Sequence, residues 1–421
     1  MRAWPFLAAA TIVAAIVFGL ARYLDNDYVF FAGYVVLQFI VLATAWNILG
    51  GYTGYVNFGS AAFFALGVYS SVFFHKTFPL PIPVLMVIGG VISGIVGLGM
   101  GYLTLRLRGA FFAIATLALA VVLQTLIVNW NYVGGARGAY VIRPNEIAIL
   151  GSYIQYLFLL MLALAVLAVA TARLIERSRL GYGFATIRDD ELAAEACGVP
   201  TLRLKLIATT LSGAFMGMAG APFPYYIGYI EPSSAFGLAY AVNSIAMPMI
   251  GGTTSWIGPL IGAILLGSLQ QFATVTISSA VNLLIVGMLL VDCVIIAPNG
   301  IVGLIRERRT ASNIVAEPTV FVMLFALNLS PVYFLVGQGA GAQSIGLVFW
   351  LVLAYVAHMR GRLLGRWWLV TFPLVGILLA IAPEITAIPV TTALLASTLL
   401  QIICVACGLL PLRRPAGAAV R

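Results

Sequence analysis

Apolar segments of membrane-spanning length recur along the whole chain. They fall near residues 4–21, 28–48, 60–74, 84–103, 110–128, 153–172, 206–221, 238–250, 258–272 and 280–297, followed by a later set near 319–336, 344–358, 368–381 and 391–410. Counted as helices, they amount to about fourteen crossings. Runs such as Ala110 to Val128 are continuously apolar, whereas a membrane β-barrel alternates apolar and polar positions over segments of about ten residues. The pattern therefore predicts an all-α polytopic membrane protein. Segments 60–74 and 238–250 are short enough to fit re-entrant helices as well. The apolar run after Arg2 has no small-x-small cleavage site before Asp25, and reads as a retained first helix.

One polar stretch interrupts this pattern. Between Arg173 and Lys205 lie Glu176, Arg177, Arg179, Arg188, Asp189, Asp190, Glu191, Glu195 and Arg203, in a chain that is only 8% charged. Such a density between two apolar segments predicts a solvated loop. Its middle, Asp189 to Gly198, reads as one short helix with acidic residues at its positive N-terminal end and a glycine where it stops. Too small to fold alone, that helix suits docking into another protein. A second linker, residues 306–318, separates a body of about ten segments (1–306) from a hydrophobic extension of about four (307–421).

Charge refines the topology. A net charge of +9 in a soluble domain points to polyanionic partners, but here Arg and Lys gather in loops on one side. Counting from a cytoplasmic N-terminus, Arg106 and Arg108, the polar stretch, Arg306, Arg308 and Arg309, Arg360, Arg362 and Arg366, and Arg413 and Arg414 all share that side. The positive-inside rule makes it cytoplasmic, with both termini there. Arg360 to Trp368 reads as an interfacial anchor.

Glycine marks two further places. Gly50-Gly51-Tyr52-Thr53-Gly54-Tyr55-Val56-Asn57-Phe58-Gly59 breaks one apolar run, and Gly251-Gly252-Thr253-Thr254-Ser255-Trp256-Ile257-Gly258-Pro259 breaks another about two hundred residues later. Unwound backbone at membrane depth is tolerated where it is buried or lines a cavity, and paired interruptions suit a transporter built from internal repeats. Close helix packing through small residues accounts equally for either break alone. Thr53, Asn57, Ser60, Thr253 and Thr254 are the candidate pathway groups, because hydroxyls and unwound backbone can coordinate a polar solute without stranding net charge.

The inventory for chemistry is poor. His75 and His358, the two histidines, lie far apart, and neither has the neighbours that a metal or catalytic site needs. A phosphate-binding loop requires a Gly-Lys-Ser/Thr sequence; the two lysines, Lys76 and Lys205, follow His75 and Leu204. The chain cannot hydrolyse ATP by that route, and if ATP powers a transport step, another subunit has to supply the hydrolysis. The cysteines, including the pair Cys404 and Cys407, read as small buried hydrophobes. Asp292 is the one acid clearly inside an apolar segment, and its nearness to Pro298 and Arg306 favours a helix-end role over a proton relay. That scarcity of intramembrane charge counts against the alternative of an ion-coupled secondary carrier.

Four motifs carry a resemblance. Gly51-Tyr52-Thr53-Gly54 with Asn57 to Tyr69, Arg106 to Leu117, Ile187 to Val199, and Gly251 to Gly262 and Ala263 stand in the order found in LivM-type permeases of branched-chain amino acid ABC importers. The segment IRDDELAAEACGV is similar to that family's IRENEIAAEAMGI. Ser60, Tyr55 and Asn299 depart from the family's usual His, Gln and Arg.

The resemblance implies a permease fold of about ten helices in a bacterial inner membrane, carrying branched-chain or related small amino acids or amides. It implies a LivH-like second permease, two ABC ATPase subunits that bind ATP, and an extracytoplasmic substrate-binding protein. The chain itself would bind no cofactor. The acidic segment would be the coupling helix, with Arg188, Asp189, Asp190, Glu191, Glu195 and Gly198 fitting a groove on the ATPase. Nucleotide-driven closure would then rock the permease halves.

Overall fold

A computed structural model describes residues 27–78, 80–104, 107, 109–141, 152–276 and 300–303, with Thr11, Phe18 and Gly19. All belong to one compact unit. The predictions for Arg106, Arg108, Asp292, Asn299, most of the first apolar segment, the 306–318 linker, the 307–421 extension, and Cys293, Cys404 and Cys407 lie outside the described residues.

The regular structure of the described residues is helical, apart from one two-residue strand pair. The long elements are α1 (Asp27–Thr53), α2 (Ser60–Thr77), α3 (Ile82–Thr104), α4 (Ala110–Val128) and α5 (Tyr153–Glu176). The polar stretch forms α6 (Arg179–Asp189) and α7 (Glu191–Ala196). Then follow α8 (Thr201–Gly220), α9 (Phe223–Ile227), α10 (Pro232–Ala235), α11 (Leu238–Gly251) and α12 (Ile257–Thr276). Strands β1 (Ala139–Tyr140) and β2 (Tyr229–Ile230) pair antiparallel at the end opposite α7.

Six of these helical stretches are long and apolar enough to cross a membrane: α1, α3, α4, α5, the α8–α9 stretch and the α10–α11 stretch. The fold is therefore all-α and polytopic. Segment 238–250, which alone looked short, gains length from α10 and forms a 20-residue stretch, Pro232–Gly251. Segment 60–74 becomes an 18-residue helix of about 27 Å, with Phe63, Phe64, Ala65 and Val68 fully enclosed.

Hydropathy and exposure change together between α4 and the α8–α9 stretch. The apolar window of α4 has a mean hydropathy of 2.5 with 17% of it buried, while that of α8–α9 has 1.3 with 67% buried. Lipid accepts only apolar side chains, so α4 turns Phe111, Ile114, Val121 and Leu126 outward. An interior helix meets protein, and small or hydroxylated residues serve it better. Accordingly, α8 crosses α2 and α3 in backbone contact. A Cβ on Gly213 would lie 2.9 Å from the Ser93 carbonyl oxygen, and one on Gly97 3.1 Å from that of Thr209. The Ser93 hydroxyl spans the remaining gap, donating to the Phe63 carbonyl at 3.0 Å.

The first glycine break begins later than the sequence pattern suggests. Gly50 and Gly51 are helical, and α1 continues to Thr53 before the chain unwinds over residues 54–59. Backbone enclosed this deeply must keep its hydrogen bonds. The two glycines instead permit close approach: a Cβ on Gly51 would sit 2.6 Å from the Thr253 carbonyl oxygen.

Candidate functional site

The polar stretch folds as two helices meeting at an elbow. Asp190 separates them in an extended conformation (φ −159°, ψ 111°), and its carboxylate accepts from the main-chain nitrogens of Leu192 at 2.9 Å and Ala193 at 3.1 Å. This is an N-cap. A helix unbroken from Asp189 is thus replaced by α6, a one-residue joint and α7, because an aspartate satisfies the free donors of α7 only from outside the helix. At the far end Gly198 adopts φ +82°. The Gly198 and Val199 nitrogens donate to the Glu195 and Ala194 carbonyls at 2.9 and 3.0 Å, which completes a Schellman closure.

Not all of the stretch is wet. Lys205 has 3% and Glu191 12% of its side chain exposed, and the Lys205 Nζ donates to Glu191 Oε1 at 2.7 Å. The Tyr55 hydroxyl donates to Glu191 Oε2. Lys205 also donates to the Tyr55 oxygen at 3.2 Å, with its ammonium 4.8 Å from the ring centroid. Phe112 packs edge-on against the Tyr55 ring at 5.1 Å. Arg188, on the other side of the Asp190 joint, reaches the Gly51 carbonyl at 3.5 Å.

The remaining predicted coupling groups are placed as follows. The Asp189 carboxylate lies 3.6 Å from Arg188 Nε and is 75% exposed. Glu195 accepts from the Thr201 hydroxyl at 2.6 Å. Leu192 projects from the outer face of α7 at 62% exposure, and Cys197 is exposed beside it rather than buried.

Both glycine breaks converge on this end. The Thr53 hydroxyl is spent within its own helix, donating to the Leu49 carbonyl at 2.6 Å. Asn57 Oδ1 accepts from the Gly59 nitrogen at 2.7 Å, and the Asn57 carbonyl accepts from Trp46 Nε1 at 2.9 Å. The Asn57 amide nitrogen is buried and has no partner among the described residues. The Ser60 hydroxyl lies 2.8 Å from that of Ser244 on α11. Thr253 is half-buried and Thr254 exposed, in the loop that follows α11. Glu176 accepts from the Trp256 nitrogen in that loop at 2.7 Å, and Arg173 stands 5.4 Å from the Trp256 ring centroid.

Of the five candidate pathway residues, Thr53, Asn57 and Ser60 are buried, Thr253 is half-buried and Thr254 is exposed, while the contacts to the elbow come from Gly51 and Tyr55 beside them. Lys205, Tyr55 and Glu176 join the site through partners far away in sequence. The one signal in the sequence is Lys205 itself, one of two basic residues, with Arg203, inside the first turns of a helix that is uncharged beyond them.

The comparisons agree with this architecture. Residues 28–294 match the family described as branched-chain amino acid transport system / permease component. The chain is 27% identical over 300 residues to the high-affinity branched-chain amino acid transport system permease protein LivM of Escherichia coli (strain K12), covering 65% of this chain and 70% of that protein. It is 25% identical over 268 residues to the probable branched-chain amino acid transport permease protein LivH of Methanocaldococcus jannaschii, covering 60% of this chain and 84% of that one. A shorter match, 25% over 187 residues, reaches the autoinducer 2 import system permease protein LsrC of Yersinia enterocolitica, 42% of this chain and 50% of that protein. No solved structure matches. With all-α spans and a family match over most of its length, the chain belongs to the branched-chain amino acid transport permease family.

Proposed function

We propose that this chain is the transmembrane permease subunit of an ATP-driven importer for branched-chain or related small amino acids or amides, residing in a bacterial inner membrane with both termini cytoplasmic. It works beside a LivH-like second permease, two ABC ATPase subunits and an extracytoplasmic substrate-binding protein, with residues 1–306 as the permease domain and 307–421 as an accessory extension. The observation that carries the reading is the α6–α7 elbow: a short, doubly capped helix that holds an exposed leucine at its tip while gripping the first glycine break from behind. Asp189 and Leu192 are the groups on it that reach outward to an ATPase groove. Asp190, Glu195 and Gly198 shape the helix, and Arg188 and Glu191 join it to the permease. Thr53, Asn57 and Ser60 on one side and Thr253 and Thr254 on the other form the cytoplasmic mouth of the pathway.

Purification of the tagged chain from its native host tests this directly. An ABC ATPase should accompany it, and proteoliposomes holding the complex should accumulate labelled leucine, isoleucine or valine only when ATP is supplied on the ATPase side. Accumulation driven by an imposed ion gradient without nucleotide would instead establish a secondary carrier.

A further inference from the structure

The interior contacts of the elbow separate two jobs that a coupling helix is asked to do. Leu192 and Asp189 face outward, but Glu191 turns its carboxylate into the protein, onto Lys205 of α8 and Tyr55 of the unwound loop. A buried ion pair adds little net stability over apolar packing, yet it fixes one geometry strongly, because displacing either member strands a charge. With Tyr55 the pair becomes a triad that ties α7 and α8, consecutive in the chain, to residues 54–59, more than 130 residues earlier.

A second grip lies across the Asp190 joint. Arg188 donates to the Gly51 carbonyl at 3.5 Å, and a Cβ on Gly54, which adopts φ +79°, would lie 3.3 Å from the Arg188 Cγ. From the loop the contacts run onward. The Phe58 nitrogen donates to Thr116 Oγ1 on α4 at 3.1 Å, and the Ser60 hydroxyl meets Ser244 on α11 at 2.8 Å.

We propose that Glu191, Lys205 and Tyr55 form an internal clamp that makes α7 and the 54–59 loop move as one body, so that Glu191 and Lys205 are positioning residues of the coupling step and not contacts to the ATPase. The coupling step is the one of the preceding section, and the clamp rests on that reading for its purpose but not for its existence.

Hydrogen exchange on the purified full-length chain in lipid nanodiscs tests the clamp without any partner. Lys205→Met should speed exchange at least tenfold both in residues 191–197 and at Gly54, Phe58 and Gly59, while the β1–β2 pair at the other end is unchanged. Loosening of α7 alone, with the loop still protected, overturns the proposal. Should Lys205→Met lose protection everywhere, Tyr55→Phe, which removes only a hydroxyl, decides by the same pattern at about threefold, and an unchanged loop again overturns it. The charge exchange E191K/K205E should restore protection to both segments. In the complex purified from the native host, Lys205→Met should still capture the ATPase and hydrolyse ATP, with uptake per ATP down at least tenfold. Loss of ATPase capture with exchange in residues 191–197 and 54–59 unchanged would make these residues docking contacts and overturn the clamp. Wild-type uptake that needs no ATP would remove the importer reading and leave the exchange result standing.

Discussion

The Glu176 carboxylate accepts a 2.7 Å hydrogen bond from the Trp256 main-chain nitrogen, 80 residues away in sequence. One acid at the end of α5 thereby holds the loop between α11 and α12, and Arg173, one turn earlier, flanks the same tryptophan ring. Glu176→Ala should lower stability by about 1–3 kcal/mol, since it leaves a partly buried donor without this acceptor. Glu176→Gln, which keeps an acceptor oxygen, should cost less. Thermal unfolding of the two variants in detergent, followed by circular dichroism, measures the difference.

The cap at Asp190 is a local device, so its loss should be felt locally. Asp190→Ala should cost α7 about 1 kcal/mol, which appears as roughly fivefold faster exchange of the Leu192 and Ala193 amides. Asp190→Asn should retain most of the protection. Equal exchange in the alanine variant would show that the carboxylate does not hold the helix start.

A glycine inside the α3–α8 packing and one outside it should respond in opposite ways. A Cβ on Gly217 would come within 2.5 Å of the Gly89 carbonyl oxygen, and Gly217→Val should force the helices apart at a cost of about 1–3 kcal/mol or more. Gly99, on the outer side of α3, has nothing within 4 Å of a built Cβ. There Gly99→Ala should leave stability unchanged or raise it by about 0.5–1 kcal/mol. Unfolding midpoints of the purified variants decide both.

Leu192 carries the outward contact on the proposed reading. Leu192→Asp puts an acid in the first turn of a helix, where the dipole favours it, so folding should be preserved. ATPase capture should nonetheless weaken about tenfold, equivalent to about 1.4 kcal/mol. Unchanged capture would place the docking surface elsewhere.

Orientation has a chemical handle in Cys197, which is exposed beside α7. In a chain whose Cys293, Cys404 and Cys407 are replaced by serine, a membrane-impermeant maleimide should label inside-out vesicles and spare right-side-out ones. The reverse pattern would invert the topology.

Much of this architecture is legible in the residues, and the exceptions have physical causes. Ala110 to Val128 announces a helix because lipid tolerates nothing polar on it. The position of α7 could be anticipated from Asp190 and Gly198, whose roles as cap and terminator are local. Its division from α6 was not, because the extended joint at Asp190 depends on a side chain bonding forward to Leu192 and Ala193. Lys205 reads as solvated, because charge density along a sequence cannot distinguish a side chain that points out from one that finds a carboxylate 14 residues earlier. Tyr55 meets that lysine across 150 residues, a pairing that exists only once α1, α7 and α8 are packed. Gly50 and Gly51 read as a break, yet Gly51 lets α1 touch the Thr253 loop and Gly50 makes room for the Trp46 ring.

The burial of α2 bears on how the protein is made. With Ser60, Ser70, Ser71, His75 and Lys76 along it, this helix is a poor candidate for leaving the insertion machinery unaided, since charged and hydroxylated residues disfavour release into lipid. It must wait for company: α3, which follows after a short turn and is rich in valine, isoleucine and glycine, can escort it as a hairpin. Biogenesis would then proceed by pairs, and the segment at the centre of the finished bundle would owe its place to a neighbour synthesised after it.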